Sequence, residues 1–325
     1  MDFNISLGSF VQEENFTSFD PDRTYDVIIL GGGPAGLTAA VYCMRKGVST
    51  GLILAHVGGQ VAETAGIENY MGYRYINGME LVEKFREQVM QFGISYEEGV
   101  SAVSITDGDI KKVELDDGRI FSSRAVIIAT GKTPRRLNVP GELEFTGRGV
   151  AYCSTCDAPL FGGKRVVVAG GGNSAAEAVI DLLKVASHVT MVQFLDRLTA
   201  DAVLVRKIES NDNLDVLYEH EILEVKGDTG VTGIRVRNRI TEEERDIVSD
   251  GIFVEIGLSP NSEFVKNLLE LNQTGEILVD CACRTSVPGI FAAGDVTTVP
   301  FKQIIVAGGE GAKAALSACD YIFKH

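Results

Sequence analysis

The segment Cys153-Ser-Thr-Cys156-Asp157 contains the side chains of this sequence that are best suited to chemistry. Two thiols three positions apart can form a disulfide within one turn of chain. As a dithiol, one thiolate can attack the disulfide of another molecule while the second thiol resolves the mixed disulfide. Asp157 is a candidate to exchange a proton with a sulfur as general acid or base. The alternative for Asp157 is a carboxylate at the start of a helix or turn.

A zinc site is the other common use of a C-x-x-C pair, and it needs about four ligands. The other clustered thiols are Cys281 and Cys283, which alternate along a segment, 276–283, that has the pattern of a strand. We expect these two to face opposite sides as packing residues. Cys43 and Cys319 lie in predicted helices and are expected to be buried. The histidines are scattered singly, at His56, His188, His220 and His325. The sequence therefore favours redox chemistry and predicts no metal.

Two copies of a dinucleotide-binding fingerprint lie on either side of the dithiol. The first is an apolar strand, Tyr25–Leu30, followed by Gly31-Gly-Gly33-Pro-Ala-Gly36 and a helix over 37–46. The second is a strand, Arg165–Ala169, followed by Gly170-Gly-Gly172-Asn-Ser-Ala175. In G-x-G-x-x-G/A the glycines make a tight turn, let backbone N–H groups approach a pyrophosphate, and let the helix pack on the strand. One copy could be an ordinary strand-to-helix turn, but two in the same register predict two nucleotide sites.

The dithiol precedes the second fingerprint by a short stretch, 158–169, so both should belong to one domain. If the first fingerprint holds a flavin, the reducing nucleotide and the dithiol must both reach the flavin ring from that one domain. They cannot easily do so together. The order along the chain therefore predicts a domain rotation that presents them alternately.

Length and charge restrict the class of protein. The 325 residues are enough for about two domains. With 45 acidic and 30 basic side chains the formal net charge is −15, which disfavours nucleic acid or an anionic membrane as a partner. No apolar run is long enough to span a membrane, and residues 1–23 are polar and acidic, unlike a signal peptide. The expected location is the cytoplasm.

Taken together, these motifs resemble those of the low-molecular-weight thioredoxin reductases. The resemblance is stronger to the flavoprotein component of alkyl hydroperoxide reductase, without its N-terminal thioredoxin-fold region. It extends from about Tyr25 to Tyr321. The matching segments are 31–36, 58–60, 67–70, 129–131, 153–157, 170–177, 289–295 and 302–303.

The resemblance implies an α/β fold of two Rossmann-like three-layer domains, with the second inserted in the first. The implied FAD-binding domain comprises residues 1–134 and 262–325. The implied NAD(P)-binding domain, 135–261, carries the C-x-x-C motif. The Gly- and Pro-containing stretches 129–131 and 257–261 agree with chain crossings at these boundaries.

The resemblance also implies the site residues. The first fingerprint would bind the FAD pyrophosphate, Asn69 would lie beside the flavin, Asp295 would accept a hydrogen bond from the ribityl chain, and Gln303 would contact the ring region. Independently, Asp295 follows an apolar segment, 290–294, and suits a sugar hydroxyl at a strand end; its alternative is the N-cap of a helix starting near Gln303. Cys156 would face the flavin and Cys153 would attack the protein partner. The implied FAD set is Gly31, Gly33, Pro34, Ala35, Gly36, Gly59, Gln60, Asn69, Ala129, Thr130, Gly131, Gly294, Asp295, Lys302, Gln303 and Ile304. The implied nicotinamide nucleotide set is Gly170, Gly172, Asn173, Ser174, Ala175, Glu177 and Gln193.

The segment Val192-Gln193-Phe-Leu-Asp196 departs from members of this family that prefer NADPH. Those members carry a histidine and two arginines here for the 2'-phosphate. This segment has no guanidinium, and Asp196 would repel a phosphate. NADH-using relatives have an acidic residue near Gln193, whereas glutamine accepts only through its carbonyl. The sequence therefore favours NADH over NADPH.

The resulting hypothesis is an FAD-dependent enzyme that passes electrons from NADH through FAD and Cys153/Cys156 to a thioredoxin- or glutaredoxin-like protein. The family resemblance implies a homodimer. Three alternatives stay open: a flavin-dependent dithiol oxidase, a ferredoxin-driven reductase, and a non-enzymatic flavin redox sensor.

Overall fold

The computed structural model describes residues 16–64, 66–209 and 211–325. The expectation for residues 1–23 concerns in part residues 1–15, which lie outside the described residues. The helices are α1 (Pro34–Arg45), α2 (Gly78–Met90), α3 (Ser154–Asp157), α4 (Asn173–Leu182), α5 (Ala202–Glu209) and α6 (Ile304–Lys324). The strands are β1 (Phe16–Thr17), β2 (Thr24–Leu30), β3 (Thr50–Leu54), β4 (Ile94–Glu98), β5 (Ala102–Thr106), β6 (Lys111–Leu115), β7 (Ile120–Ile128), β8 (Lys132–Pro134), β9 (Val150–Ala151), β10 (Arg165–Ala169), β11 (His188–Val192), β12 (Leu214–Leu217), β13 (His220–Gly227), β14 (Val231–Asn238), β15 (Glu244–Val248), β16 (Gly251–Val254), β17 (Leu258–Pro260) and β18 (Ile290–Ala292).

The described chain divides into two compact units. The first comprises residues 16–59, Val82–Gly131 and Ser262–His325, and the second comprises Gln60–Leu81 and Lys132–Asn261. The chain therefore enters the large segment of the second unit after Gly131 and leaves it after Asn261. The assignment of one cofactor to each predicted domain stays a prediction.

The first unit is built on an eight-stranded sheet in the order β1-β4-β3-β2-β7-β6-β5, with β18 also paired to β7. Strands β1, β4, β3, β2, β7 and β18 are parallel, and β5 and β6 add an antiparallel meander. The side chains of successive residues of β2 point to opposite faces of the sheet. Val27 and Ile29 pack in the cluster that contains α1 and α6, whereas Ile28 and Leu30 pack in the cluster on the other face. A strand covered on both faces is apolar throughout, which explains this run of sequence.

The second unit repeats the arrangement with a five-stranded parallel sheet, β12-β11-β10-β16-β9. In β10, Val166 and Val168 pack in the cluster that includes α4, while Val167 and Ala169 pack on the opposite face. That opposite face is covered by the three-stranded antiparallel sheet β13-β14-β15. Strands β8 and β17 pair antiparallel and join the two ends of the segment 132–261. The α/β class with two Rossmann-like units is thus confirmed. Strands β14 and β15 form a charged hairpin in the second unit.

The segment 276–283 is not a strand, and that prediction was wrong. The Asp280 carboxylate accepts the backbone N–H groups of Ala282 and Arg284, which closes a turn that an extended chain could not form. Cys283 sits in this turn with φ 63°, is fully buried, and donates its thiol to Glu310. Cys281 is exposed, so only one of the pair is a packing residue. Cys43 and Cys319 are buried, as predicted.

The helices do not meet the requirements of a membrane span. Among residues 16–64, 66–209 and 211–325, no helix combines the length and the apolar composition needed to cross a bilayer.

Candidate active site

The redox pair lies at the carboxyl end of β9. Cys153 precedes α3, and its sulfur is bonded to that of Cys156, with the two Cα atoms 5.4 Å apart. This Cα separation is within the ordinary range for a disulfide. The one-turn helix α3 brings the sulfurs together because it begins directly after Cys153. The predicted pairing of two thiols within one turn is therefore present.

Asp157 is the last residue of α3, and only a small fraction of it is exposed. Its backbone N–H donates to the Cys153 carbonyl at 3.1 Å. It also lines a cavity of about 360 Å³ together with Leu160, Phe161 and Lys164. Asp157 also occupies the N-cap position of the short 3-10 turn that follows, as the alternative of a carboxylate at the start of a helix or turn expects, but its side chain makes no cap hydrogen bond to that turn. A buried acid next to this space can exchange protons with water that enters it.

Glu255 is a carboxyl group close to the dithiol that no sequence motif distinguishes. It follows β16 directly, and its carboxyl group is influenced by the backbone N–H of Ser154, next to Cys153. Burial raises its pKa to about 7, the Ser154 N–H opposes the rise, and the charge of Glu177 adds to it. The available signal was weak: a single acid at the end of the apolar run Gly251–Val254.

The first fingerprint has the predicted strand-turn-helix form, with α1 starting at Pro34. Gly31 has φ +121°, which disfavours any residue with a side chain. A Cβ on Gly36 would overlap the Gly31 carbonyl oxygen, so helix and turn need a glycine there to approach. By contrast, a Cβ on Gly33 would meet no atom within 4 Å, so the space in front of this glycine is open. An open glycine loop at the start of a twelve-residue helix fits a pyrophosphate.

Several of the other residues implied for FAD lie around this loop. Ala129 follows β7 and its carbonyl lies against Gly31, while a Cβ on Gly59 would be 3.5 Å from the Gly33 Cα. Gly294 begins a 3-10 turn after β18 and lies against Ala35. The structure thus brings together, in the first unit, Gly31 to Gly36, Gly59, Ala129 to Gly131, Gly294 and Asp295.

The remaining FAD candidates are placed as follows. Lys302 donates from Nζ to the Thr297 carbonyl at 2.7 Å, and Gln303 is the N-cap of α6, which begins at Ile304. The alternative of Asp295 as that N-cap is therefore wrong. Gln60 and Asn69 fall in the second unit, where Gln60 donates from Nε2 to the Lys132 carbonyl at 2.8 Å.

The second fingerprint also forms as predicted, with β10, a turn at Gly170 with φ +128°, and α4 from Asn173. Asn173 is tied to Asp201, whose N–H donates to Oδ1 at 2.8 Å while Nδ2 donates to the carboxylate at 3.1 Å. At the start of α4, Asn173, Ser174 and Glu177 are exposed, and Ala175 is buried. The exposed start of α4 beside Gly172 fits a nucleotide pyrophosphate.

Gln193 is buried at the end of β11, and both ends of its amide are engaged within its own loop. Nε2 donates to the Arg197 carbonyl at 2.7 Å, and Oε1 accepts the N–H of Phe194 at 3.0 Å. A Cβ on Gly171 would overlap this amide, so Gln193 lies against the fingerprint turn. Gln193, which is predicted to face a ribose, therefore also holds the loop 193–197 together.

The segment 192–196 contains no arginine, but a guanidinium from the β14–β15 hairpin lies beside it. Arg239 lies 3.5 Å over the ring of Phe194 and donates to the Phe194 carbonyl at 3.0 Å. Asp196 is paired with Arg197 at 3.3 Å. Arg239 was missed because a residue at the end of β14 reaches this loop only through the fold.

Two Rossmann-like units with a C-x-x-C disulfide beside the second fingerprint are the architecture of a flavin-dependent disulfide oxidoreductase. The family model for pyridine nucleotide-disulphide oxidoreductases matches residues 25–311, and the chain belongs to this family.

Curated relatives come from alkyl hydroperoxide reductase systems. The F component of the alkyl hydroperoxide reductase of Pseudomonas putida is 46% identical over 306 residues, covering 93% of this chain and 59% of the relative. The corresponding F component of Escherichia coli K12 is 44% identical over 305 residues, covering 92% of this chain and 58% of the relative. The chain thus spans about three fifths of the length of these relatives.

Solved structures give the same family. Thioredoxin reductase from Streptococcus pyogenes superposes with a TM-score of 0.87 at 36% identity, covering 96% of this chain and all of that one. Thioredoxin reductase from Giardia duodenalis has a TM-score of 0.85 at 34% identity, covering 93% of this chain and 99% of that one. These comparisons confirm the resemblance and the fold class predicted from the sequence.

Proposed function

We propose that the chain is an FAD-dependent disulfide reductase that takes electrons from NADH and passes them through the Cys153/Cys156 disulfide to a disulfide of a partner protein. The observation that carries the proposal is the position of this disulfide, at the end of β9 in the same sheet and unit as the second fingerprint. A dinucleotide fingerprint and a disulfide on one sheet support electron transfer from a nicotinamide nucleotide to the disulfide.

The residues around Gly31 would hold the pyrophosphate of FAD at the start of α1, and Asp295 would accept a hydrogen bond from a ribityl hydroxyl. Bound FAD supplies a two-electron carrier between the nicotinamide and the disulfide. The second nucleotide would lie on the turn at Gly170 and the exposed start of α4. We assign the flavin-facing sulfur to Cys156 and the partner-facing sulfur to Cys153, following the family resemblance.

Two electrons break the Cys153–Cys156 bond, and the two sulfurs take up one proton as a thiol–thiolate pair. The Cys153 thiolate attacks the partner's disulfide, and the partner's leaving sulfur takes a proton, which we assign to Asp157 as general acid; Asp157 then regains a proton from water. Cys156 then resolves the mixed disulfide, so the partner leaves as a dithiol and the chain regains its disulfide.

For the nucleotide we propose NADH over NADPH. Asp196 adds a negative charge to the loop after β11, and none of residues 192–196 is basic. Arg239 is a guanidinium next to that loop's aromatic residue, and one face of it is covered by Phe194. A 2'-phosphate would therefore find no bidentate fork within residues 192–196.

The proposed partner is a thioredoxin- or glutaredoxin-like protein, and the proposed assembly is a homodimer. Two of the solved structures similar to this one are thioredoxin reductases, which supports a disulfide protein as the acceptor. The cytoplasmic location stays a prediction from the sequence.

Anaerobic titration of the FAD-loaded protein tests the proposal. NADH should bleach the flavin absorbance, and oxidised thioredoxin should then restore it over many turnovers. In Cys156→Ser, bleaching should remain while turnover falls by about 100-fold or more, because no disulfide can form. The matched control is Cys281→Ser, which removes an exposed thiol of the first unit and should leave turnover unchanged.

Two further outcomes decide the matter. With Cys153 retained, the Cys156→Ser protein should trap its partner as a mixed disulfide that dithiothreitol releases. A protein that stays colourless after reconstitution with FAD, or a Cys156→Ser variant with normal turnover, would contradict the proposal.

A further inference from the structure

Glu255 lies between the redox disulfide and the second fingerprint. Strand β16 pairs in parallel with β9, with Ile252 opposite Val150 and Phe253 opposite Ala151. Two residues further along both chains are Glu255 and Cys153. On its other side β16 pairs with β10, with Val254 opposite Ala169. The next residues on that side are Glu255 and Gly170. The carboxyl ends of three adjacent strands thus place Glu255 between these two groups.

The backbone of Glu255 is fixed at this position. Its N–H donates to the Ala169 carbonyl at 2.8 Å, and its own carbonyl lies against Gly170, where a Cβ would overlap it. The side chain therefore starts from a defined point, and the peptide N–H that joins Cys153 to Ser154 favours the ionised form of its carboxyl group. No step of the proposed mechanism uses this group.

The groups that face Glu255 give its charge no cationic partner. The group on α4 that acts on the Glu255 carboxyl is Glu177, which is also an acid. The groups around α3 are the sulfurs of Cys153 and Cys156 and one further acid, Asp157. The neighbouring residues at the end of β10 are Ala169 and the following Gly170, and those of β9 are Val150 and Ala151. None of these four side chains ionises. Among the described residues, no lysine or arginine acts on its carboxylate.

We propose that Glu255 is a positioning residue of the redox centre whose charge controls how readily the reduced Cys153/Cys156 pair forms a thiolate. Ionised Glu255 and a thiolate are like charges on neighbouring strand ends, so each opposes the other. Neutral Glu255 leaves the thiolate unopposed. This role rests on the proposed function, in which that thiolate attacks the partner.

The direction of the pH effect follows from burial. Burial raises the pKa of Glu255 from its ordinary value of 4.5 to about 7. The carboxyl is therefore neutral below about pH 7 and ionised above it, and its opposition to the thiolate begins as the pH rises through that value. Reduction of the disulfide by two electrons to a thiol and a thiolate takes up one proton. An ionised Glu255 that becomes neutral at the same time takes up a second, so two protons are consumed in total.

Alkylation of the reduced protein tests this role without FAD or nucleotide. After reduction with dithiothreitol and its removal, the rate of reaction with iodoacetamide is measured from about pH 5 to about pH 10 at peptide resolution, which separates Cys153 and Cys156 from the exposed Cys281. Glu255→Gln keeps an acceptor for the Ser154 N–H but carries no charge. Its alkylation midpoint should fall by about one pH unit, so the rate should rise by up to about 10-fold at pH values well below the midpoint.

The matched control is Glu243→Gln, an exposed acid in the hairpin of the same unit, which should leave the profile unchanged. The wild-type protein provides a test that needs no variant: its profile should flatten near about pH 7, where Glu255 ionises, before rising again. A Glu255→Gln profile that superposes on the wild type, or a wild-type profile with a single inflection, would overturn the role of Glu255. Because the test uses the protein alone, it stays valid if NADH fails to reduce the flavin, and the two failures are distinguishable.

Discussion

At the scale of single residues, Gln193 shows what sequence can and cannot establish. Its place after β11 is the position that the family resemblance predicts to contact a ribose, and the sequence was enough for that prediction. Its hydrogen bonds to Arg197 and Phe194 could not, because they depend on how the loop 193–197 closes on itself. Arg239 approaches Phe194 from the hairpin for the same kind of reason.

The nucleotide preference is a prediction at this scale. We expect kcat/KM for NADH to exceed that for NADPH by at least about 10-fold, equivalent to about 1.4 kcal/mol. Asp196→Asn should raise the NADPH value about 3-fold by removing a repulsive charge, while the NADH value stays the same. Steady-state kinetics of both proteins with both nucleotides, and of Glu243→Gln as control, provide the check. A wild-type preference for NADPH would refute the prediction.

At the scale of elements, α1 and α6 pack against each other through small residues. Ala39 and Ala40 of α1 lie in one cluster with Ala314, Ala315 and Ala318 of α6. A Cβ on Gly311 would overlap the Ala35 carbonyl oxygen, so the two helices approach closely enough to require a glycine. On the same helix a Cβ on Gly309 would meet nothing within 4 Å.

These two glycines give a matched pair of variants. Gly311→Ala should lower the free energy of unfolding by about 2 kcal/mol or more, because the added methyl group forces α6 away from α1. Gly309→Ala should raise it by about 0.5–1 kcal/mol through helix propensity alone. Urea denaturation of the two variants measures both effects. Equal effects in the two variants would mean that the helices tolerate a wider separation.

Helices and strands were predictable where the residues that specify them lie close together in the sequence. The two fingerprints contain a strand, a glycine turn and a helix start within a dozen residues, so β2, α1, β10 and α4 follow from the sequence. The prediction of a strand over 276–283 was wrong because the alternating pattern resembled a strand, whereas the Asp280 carboxylate accepts the backbone N–H groups of Ala282 and Arg284 and turns the chain.

At the scale of the whole molecule, each compact unit is assembled from separate stretches of chain. The chain crosses between the units after Gly131 and after Asn261, and Gly and Pro residues occur near both crossings. The grouping of Gln60–Leu81 with the second unit was not predictable, because it depends on tertiary contacts and the segment has no composition of its own.

Hydrogen exchange tests the assignment of one cofactor to each unit. FAD at about 100 times its Kd should slow exchange about 100-fold in peptides around 31–36, 129–131 and 294–295, and NADH should do the same around 170–177 and 193–199. Mass spectrometry of the protein with each ligand alone gives the protection maps. FAD protection centred on 170–177 would reverse the assignment.

The exposed turn at Cys281 has a practical consequence. In the oxidised protein it is the one accessible free thiol among the described residues, since Cys43, Cys283 and Cys319 are buried. A maleimide fluorophore would therefore label the first unit at one position and leave the Cys153–Cys156 disulfide untouched. Paired with a fluorescent dinucleotide on the second unit, this label would report by energy transfer whether the units reorient during turnover, without any engineered cysteine.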